Sequence, residues 1–193
     1  MKKITVYCGA NAGNEIVFEE QAFLLGKTLA QQQIGLVFGG GKVGLMGIVA
    51  NGAIQHGGEV IGVIPHFLCT KEIAHDGVTE MISVDTMHQR KTILYELSDA
   101  MIALPGGFGT MEELFEMLTW AQLGLHHKPI ALLNTNGFYD ALLAFIQTMV
   151  DTQFLKKEYQ QMLLHSDNID DLLEKIRNYE APKVTKWINK ENT

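Results

Sequence analysis

The feature that most constrains the fold of this chain is a regular alternation of short apolar runs with longer helical patterns. Strands are typically short and apolar when both faces of a sheet are covered, whereas helices repeat their apolar residues every three to four positions. We predict strands at 4–8, 36–38, 60–64, 80–84, 100–104 and 129–133, and helices at 15–33, 44–56, 86–98, 110–125, 138–150 and 169–179. This rhythm predicts an α/β, doubly wound, mostly parallel sheet with helices on both faces.

Length and composition fit one domain. The chain has 193 residues, of which 47% are hydrophobic and 19% are charged, as is usual for a globular protein. We predict a single domain over residues 1–180, an irregular loop at 66–77 and a polar tail at 181–193. We find no internal repeat or linker.

Charge and cysteine content exclude several classes of function. A formal net charge of −7 argues against non-specific binding to nucleic acid or to an anionic membrane. No apolar stretch is as long as a membrane span, and the first residues lack the long apolar region of a signal peptide, so we expect none. Cys8 and Cys69 lack metal-ligand spacing, and we find no disulfide framework, so we expect a reducing cytoplasm.

A glycine-rich turn at 104–113 joins a predicted strand to a predicted helix. Such turns often hold a phosphate, because backbone amides at a helix start face the ligand. The turn also brings Glu112 and Glu113 into the first helical turn. A purely structural interpretation is a capping box, in which Thr110 caps the helix and Glu113 reaches back to it. That interpretation leaves the three glycines of Pro105–Gly109 unexplained.

A second glycine turn, at 39–44, matches the G-x-G-x-x-G pattern. It follows the second strand instead of the first, and Glu59 lies at the wrong end of the next strand to bind a ribose. A dinucleotide site is therefore disfavoured. Two interpretations stay open, namely a phosphate contact at a helix start and a tight packing turn.

Arg90 and Lys91 lie near the start of a predicted helix, where cations are disfavoured. They form either a solvated basic face or a contact with an anionic substrate, for which arginine is well suited. The seven histidines form no recognisable metal motif, and no G-x-S-x-G elbow indicates a serine nucleophile.

Together, these motifs resemble the LONELY GUY family of cytokinin riboside 5′-monophosphate phosphoribohydrolases, long labelled "lysine decarboxylase-like". The segment 105–113 resembles the family motif P-G-G-x-G-T-x-x-E, 87–91 resembles M-H-x-R-K, and 39–47 resembles G-G-G-x-x-G-L-M-G. Segments 118–124 and 128–130 also fit, and the similarity covers roughly residues 1–180.

The resemblance implies a Rossmann-like fold and a homodimer with sites near the subunit interface. It also implies hydrolysis of the N-glycosidic bond of an adenosine 5′-monophosphate, usually N6-prenylated, without a cofactor or metal. Arg90 and Glu113 match the catalytic positions. Substrate contacts are expected at Glu72, Met87, Lys91, Gly106, Gly107, Phe108, Gly109, Thr110, Met111, Glu112 and Thr119, and phosphate contacts at Gly9, Gly40, Gly41 and Gly44.

Two positions depart from the family pattern, and several alternatives stay open. Ala10 replaces a frequent serine, and Phe108 replaces the commoner tyrosine. A carboxylate at Glu113 could stabilise positive charge on the ribose, activate water or attack the sugar, and Arg90 could hold the phosphate or orient Glu113. Competing functions are hydrolysis of unmodified AMP, nucleotide binding without turnover, and a pyridoxal-phosphate lysine decarboxylase.

Overall fold

The protein is described by a computed structural model that covers residues 1–69 and 74–182. Seven strands form one sheet within these ranges. They are β1 (Lys3–Tyr7), β2 (Gly35–Phe38), β3 (Val60–Pro65), β4 (Glu80–Val84), β5 (Ala100–Ala103), β6 (Ile130–Leu133) and β7 (Leu163–Ser166). The spatial order is β4-β3-β2-β1-β5-β6-β7, and every neighbouring pair is parallel. The order reverses between β1 and β5, which is where open α/β sheets bind their ligands.

Helices cover both faces of the sheet, which confirms the doubly wound prediction. The described helices are α1 (Ile16–Gln31), α2 (Gly44–Ile54), α3 (Met87–Leu97), α4 (Phe108–Gln122), α5 (Asp140–Asp151), α6 (Lys157–Gln160) and α7 (Ile169–Arg177). Helices α1, α2 and α7 share one hydrophobic core with the sheet, and α3, α4 and α5 share the other. A 3-10 turn at Thr135–Gly137 follows β6.

Strand β1 lies in the centre of the sheet and feeds both cores. Ile4 and Val6 point into the core under α1 and α2, whereas Tyr7 belongs to the core under α3 and α4. Thr5 is fully buried, and its hydroxyl donates a hydrogen bond of 2.7 Å to the Leu94 carbonyl oxygen of α3. This bond satisfies a polar group in the interior and fixes α3 relative to β1.

Helices α1 and α2 approach each other closely because glycines lie where they cross. A Cβ atom on Gly26 would lie 2.0 Å from the Val49 carbonyl oxygen, and one on Gly52 would lie 2.2 Å from the Phe23 carbonyl oxygen. No side chain larger than hydrogen fits at either position without moving a helix backbone.

Three elements were not predicted from the sequence, namely the 3-10 turn at Thr135–Gly137, helix α6 and strand β7. Strand β7 and the one-turn helix α6 lie between 157 and 166, where β7 is an edge strand that is only partly buried. The predicted loop at 66–77 is described in part, and Ala74 forms an isolated antiparallel bridge with Gly41. Residues 70–73 and most of the predicted tail, 183–193, lie outside the described ranges. The single-domain boundary at 180 stays a prediction.

Candidate active site

A cleft of about 670 Å³ opens at the carboxyl edge of the sheet, above the reversal between β1 and β5. The residues that line it follow the ends of four strands. They are the segment from Val6 to Glu15, which begins with the last two residues of β1, then Gly39 after β2, the segment Pro105–Gly107 after β5, and Asn136 and Phe138 after β6, together with residues from α1 to α4. Both glycine-rich turns predicted from the sequence thus contribute to the same cleft.

Helix α3 presents Arg90 to this cleft. Thr86 and Gln89 form a capping box at its start, with the Gln89 amide donating to the Thr86 hydroxyl oxygen at 3.1 Å. Arg90 follows one turn later and is 7% exposed. Its Nε donates to the Val63 carbonyl oxygen at 3.1 Å and its Nη2 to the Gly39 carbonyl oxygen at 2.9 Å. The alternative of a solvated basic face is therefore wrong.

Glu113 lines the same cleft from α4, whereas Arg90 comes from α3. The two side chains are close enough for the Arg90 charge to affect the pKa of Glu113. Burial raises the pKa of the Glu113 carboxyl to about 7, while the Arg90 guanidinium lowers it and Glu112 raises it. A carboxyl with this pKa exchanges its proton near neutral pH, which suits acid–base chemistry.

Thr110 does not cap helix α4, so the capping-box prediction is wrong. The helix begins at Phe108 with Gly107 as its N-cap, and the Met111 amide donates to the Gly107 carbonyl oxygen at 3.1 Å. Thr110 is thus inside the first turn, where it is buried. Gly107 has no side chain with which to cap the helix, so the first amides of α4 are open to an anion.

The three glycines of the Pro105–Gly109 turn differ in their surroundings. A Cβ atom on Gly106 would lie 2.1 Å from the Thr110 hydroxyl oxygen, so packing alone requires glycine there. A Cβ atom on Gly107 or Gly109 would meet no described atom within 4 Å. Both line the cleft, and the space above them is wide enough for a ligand to approach the backbone closely.

Lys91 follows Arg90 but has different partners. Its Nζ lies 2.5 Å from Glu112 Oε1 and 3.0 Å from Glu116 Oε1, and its side chain is almost buried. Burial lowers the pKa of Lys91, but the hydrogen bonds to both glutamates outweigh this effect and the pKa is raised. Lys91 is therefore a cation that joins α3 to α4. Of its two glutamate partners, Glu112 is among the described residues that line the cleft and Glu116 is not.

The second glycine turn supports the cleft mainly through packing. Gly40 and Gly44 have φ angles of +79° and +59°, and a Cβ atom on Gly44 would lie 2.3 Å from the Ala10 carbonyl carbon. The Gly40 carbonyl oxygen accepts a hydrogen bond from the His75 amide, and Gly41 pairs with Ala74. Gly40, Gly41 and Gly44 are not among the described residues that line the cleft.

Gly9 and Ala10 lie on the wall that β1 contributes. The Gly9 amide donates to the Pro105 carbonyl oxygen at 3.0 Å, which joins the two loops on either side of the reversal. That amide is consequently occupied in this structure and is not directed at the cleft.

The other predicted contacts are spread more widely. Met87 lines the cleft beside Arg90. Phe108 is 96% exposed, and Met111 is half-buried against the core. Thr119 is exposed, and its hydroxyl donates to the Phe115 carbonyl oxygen. None of these three is among the described residues that line the cleft. Glu72 lies outside the described residues.

Several cleft residues were missed by the sequence analysis. Gly39 accepts a hydrogen bond from Arg90, and Asn136 has a positive φ of 51°, which is unusual for a residue other than glycine. The triple glycine and the Asn134–Gly137 turn after a strand were the available signals. Phe18 and Phe138 add an aromatic wall, with ring centroids 6.0 Å apart.

The cleft lacks the features of two other kinds of chemistry. No described group of three His, Cys, Asp or Glu side chains is arranged to hold a metal ion. Burial raises the pKa of the Cys8 thiol, and the Glu113 carboxylate raises it further, so the thiol is protonated at neutral pH and is a poor nucleophile. The strongest chemical feature is that one cleft holds a carboxyl that titrates near neutrality, Glu113, and an anchored guanidinium, Arg90.

Comparisons with solved structures agree on the fold. A molybdenum cofactor binding protein from Rippkaea orientalis is 23% identical with a TM-score of 0.69, and it covers 91% of this chain and 95% of its own. The molybdenum cofactor carrier protein from Chlamydomonas reinhardtii is 22% identical with a TM-score of 0.70, covering 91% and 96%. These similarities establish a Rossmann-like α/β fold and nothing about the ligand.

Sequence comparisons are closer. The family model described as "Possible lysine decarboxylase" matches residues 46–176. Cytokinin riboside 5′-monophosphate phosphoribohydrolase LOG2 from Arabidopsis thaliana is 42% identical, covering 98% of this chain and 88% of that protein. The probable enzyme LOGL1 from Oryza sativa subsp. japonica is 47% identical, covering 96% and 85%. On these matches, the chain belongs to the LONELY GUY family.

Proposed function

We propose that this protein hydrolyses the N-glycosidic bond of cytokinin riboside 5′-monophosphates. The substrate class is N6-prenylated adenosine 5′-monophosphate, and the products are the free base and ribose 5-phosphate. The observation that carries the proposal is that one cleft holds both Arg90 and Glu113 beside the uncapped start of α4. The named relatives, which are 42–47% identical, support the same reaction.

The open amides of the first α4 turn are suited to the 5′-phosphate. A helix start carries partial positive charge, and its free amides donate to phosphate oxygens. Gly107 and Gly109 leave room for the phosphate against the backbone. This placement brings the ribose close to Glu113, which lies one turn further along α4.

Glu113 acts in its ionised form as the base that activates water. The water oxygen bonds to C1′ of the ribose while the C1′–N9 bond breaks, and the electron pair of that bond leaves with the base. Glu113 takes the water proton and passes it to a ring nitrogen of the departing base, which regenerates the carboxylate. The same carboxylate stabilises the positive charge that develops on the sugar. This scheme uses no metal or redox cofactor.

Arg90 keeps Glu113 ionisable inside a partly buried cleft. Its guanidinium lowers the pKa that burial raises. Its anchored side chain also offers remaining N–H donors to the phosphate or to the ribose hydroxyls.

A lysine decarboxylase is disfavoured by the partners of the lysines. Pyridoxal-phosphate chemistry needs a lysine that can form a Schiff base. Lys42 pairs with Asp76 at 3.5 Å, and Lys91 is held by two glutamates. No lysine is among the described residues that line the cleft.

We further propose that the protein forms a homodimer through α4. Met111, Phe115 and Leu118 lie next to the buried face of α4 and are each only partly buried. The exposed ring of Phe108 lies at the start of the same helix. A second copy that packs on these residues would lie beside the cleft.

The described helices are too short or too polar to cross a membrane. The two free cysteines support our expectation of a reducing cytoplasm.

The function is tested by incubating the purified protein with N6-isopentenyl-AMP and, separately, with AMP, and measuring the free base by chromatography. We expect release from the prenylated nucleotide to exceed release from AMP. Glu113→Gln should bind the nucleotide but lose roughly 10²–10⁴-fold in turnover, the usual contribution of a general base. A preference for plain AMP would point to an AMP nucleosidase, and binding without turnover in both assays would point to a carrier.

A further inference from the structure

The anchoring of Arg90 is unusual for a buried cation. Within the described residues Arg90 forms no ion pair with a carboxylate, and its assigned N–H···O partners are two backbone carbonyl oxygens. One belongs to Val63 in β3 and the other to Gly39, directly after β2. Buried charges normally have a partner of opposite sign or several hydrogen bonds. Because Nε and Nη2 of Arg90 bond to carbonyl oxygens of two different strand segments, these bonds fix the orientation of the guanidinium.

Gly39 is glycine for a different reason from Gly40 and Gly44. Gly40 and Gly44 have positive φ angles, which favour glycine on backbone grounds, whereas Gly39 does not. A Cβ atom on Gly39 would instead lie 2.0 Å from Arg90 Nη2, 3.1 Å from Arg90 Cζ and 3.1 Å from Met46 Sδ. Space for the guanidinium, and not backbone conformation, therefore requires glycine at this position.

We propose that Gly39 is a positioning residue that seats the Arg90 guanidinium at the cleft, through its carbonyl oxygen and through its missing side chain. This inference rests on the proposed function for its consequence in catalysis, but its structural part concerns Arg90 and Glu113 alone. It also assigns the first glycine of the 39–44 turn a role that does not involve contact with phosphate.

The seating of Arg90 has a consequence for Glu113. Burial raises the pKa of Glu113, and the Arg90 charge opposes this increase. If a methyl group at position 39 displaces the guanidinium, Arg90 lowers the pKa of Glu113 by less than it does in the native chain. Its titration then moves to higher pH, an effect that a general loss of stability would not produce.

The test compares Gly39→Ala, Arg90→Lys and the double variant with the native chain. The first readout is the ¹³C NMR titration of the Glu113 carboxyl, assigned with Glu113→Gln. We expect the Glu113 midpoint to rise in Gly39→Ala, and turnover of N6-isopentenyl-AMP to fall by roughly 10-fold or more, because small displacements of a catalytic group are costly. An unchanged Glu113 midpoint in folded Gly39→Ala overturns the proposal.

A double-mutant cycle separates seating of Arg90 from other effects of the methyl group. Residues that act through one contact are non-additive. In the Arg90→Lys background we expect Gly39→Ala to lower turnover by less than 2-fold, because the guanidinium that the methyl group displaces is already absent. Full additivity contradicts the proposal. If Gly39→Ala alone does not fold, the double variant must fold, since the nearest clashing atom has been removed, and its failure to fold also contradicts the proposal.

The NMR readout keeps the two proposals distinguishable. If the native chain releases no base from either nucleotide, the proposed function fails while the Glu113 titration still tests the seating of Arg90. If the native chain is active and the titration does not move, only the role of Gly39 is wrong.

Discussion

At the residue scale, the most consequential property is the ionisation of Glu113. The carboxyl has a pKa of about 7 because burial disfavours its charged form more than Arg90 favours it. The ionised form is the one that accepts a proton from water, so we expect kcat to rise with pH through about 7 and then level off. Measurement of kcat between pH 5 and pH 9 checks this. A kcat that falls through the same range would mean that Glu113 works as an acid.

Gly106 and Gly109 provide a second test at this scale. Gly109 lies inside α4 with no described atom near its missing Cβ, and glycine in a helix is less stable than alanine by about 0.5–1 kcal/mol. Gly109→Ala should therefore stabilise the protein by up to that amount and reduce turnover by obstructing the phosphate. Gly106→Ala should destabilise it, because its Cβ meets Thr110. Urea unfolding and steady-state kinetics measure both effects, and a Gly109→Ala variant with full activity would argue against phosphate binding there.

Individual residues show where sequence patterns reach their limit. The Thr110-x-x-Glu113 spacing is a good capping signature, yet α4 begins two residues earlier, at Phe108. The signature failed because Gly107 is the N-cap, so Thr110 lies inside the first turn and is buried there. The carbonyl partners of Arg90 were also out of reach, because Gly39 and Val63 lie 51 and 27 positions away and become neighbours only when the sheet forms.

At the element scale, the strands and long helices were predictable because their burial follows from their pattern. Strands β1, β2, β3, β5 and β6 are buried on both faces and read as apolar runs. Strand β7 was not predictable, because it is short, partly exposed and contains His165. Edge strands have one neighbour, so their pattern is weaker.

The crossing of α1 and α2 gives a prediction about stability. Gly26→Ala places a Cβ atom 2.0 Å from the Val49 carbonyl oxygen, so the helices must separate. We expect a loss of about 1–3 kcal/mol in the free energy of unfolding, as is typical of overpacking. Activity per folded molecule should be unchanged, because Gly26 and Val49 are not among the described residues that line the cleft.

The matched control is Gly77→Ala, where the nearest atom to the new Cβ would be His75 Cε1 at an ordinary 3.5 Å. Urea unfolding of both variants should show a large loss only for Gly26→Ala. Equal losses would mean that glycine content, and not the helix crossing, sets the cost.

At the scale of the whole molecule, the parallel sheet and its two helical layers followed from the alternation of elements. The identity of the strands on either side of the reversal did not, since the order of strands depends on contacts that no local pattern encodes. The observed order places the ends of β1 and β5 side by side, and the cleft opens there.

Assembly is the prediction that belongs to this scale. The chain has a mass of 21.5 kDa, and we expect light scattering in solution to give about twice that value. Leu118→Glu places a charge among the partly buried apolar residues of the proposed interface, which are Met111, Phe115 and Leu118 of α4, and should produce monomers. Phe145→Glu, on the exposed side of α5, should leave the assembly unchanged. A native chain that is monomeric at micromolar concentration would rule out the homodimer.

The unequal glycines of the Pro105–Gly109 turn have a consequence for the history of such chains. Packing maintains Gly106, as it maintains Gly26 and Gly52 at the helix crossing. No steric contact in the described fold requires glycine at 107 or 109, whereas the phosphate that we propose to bind there needs the space above them. In a lineage that lost the ligand but kept the fold, positions 107 and 109 should drift to other residues first, while 26, 52 and 106 stay glycine. The turn would then record whether a relative has kept its reaction.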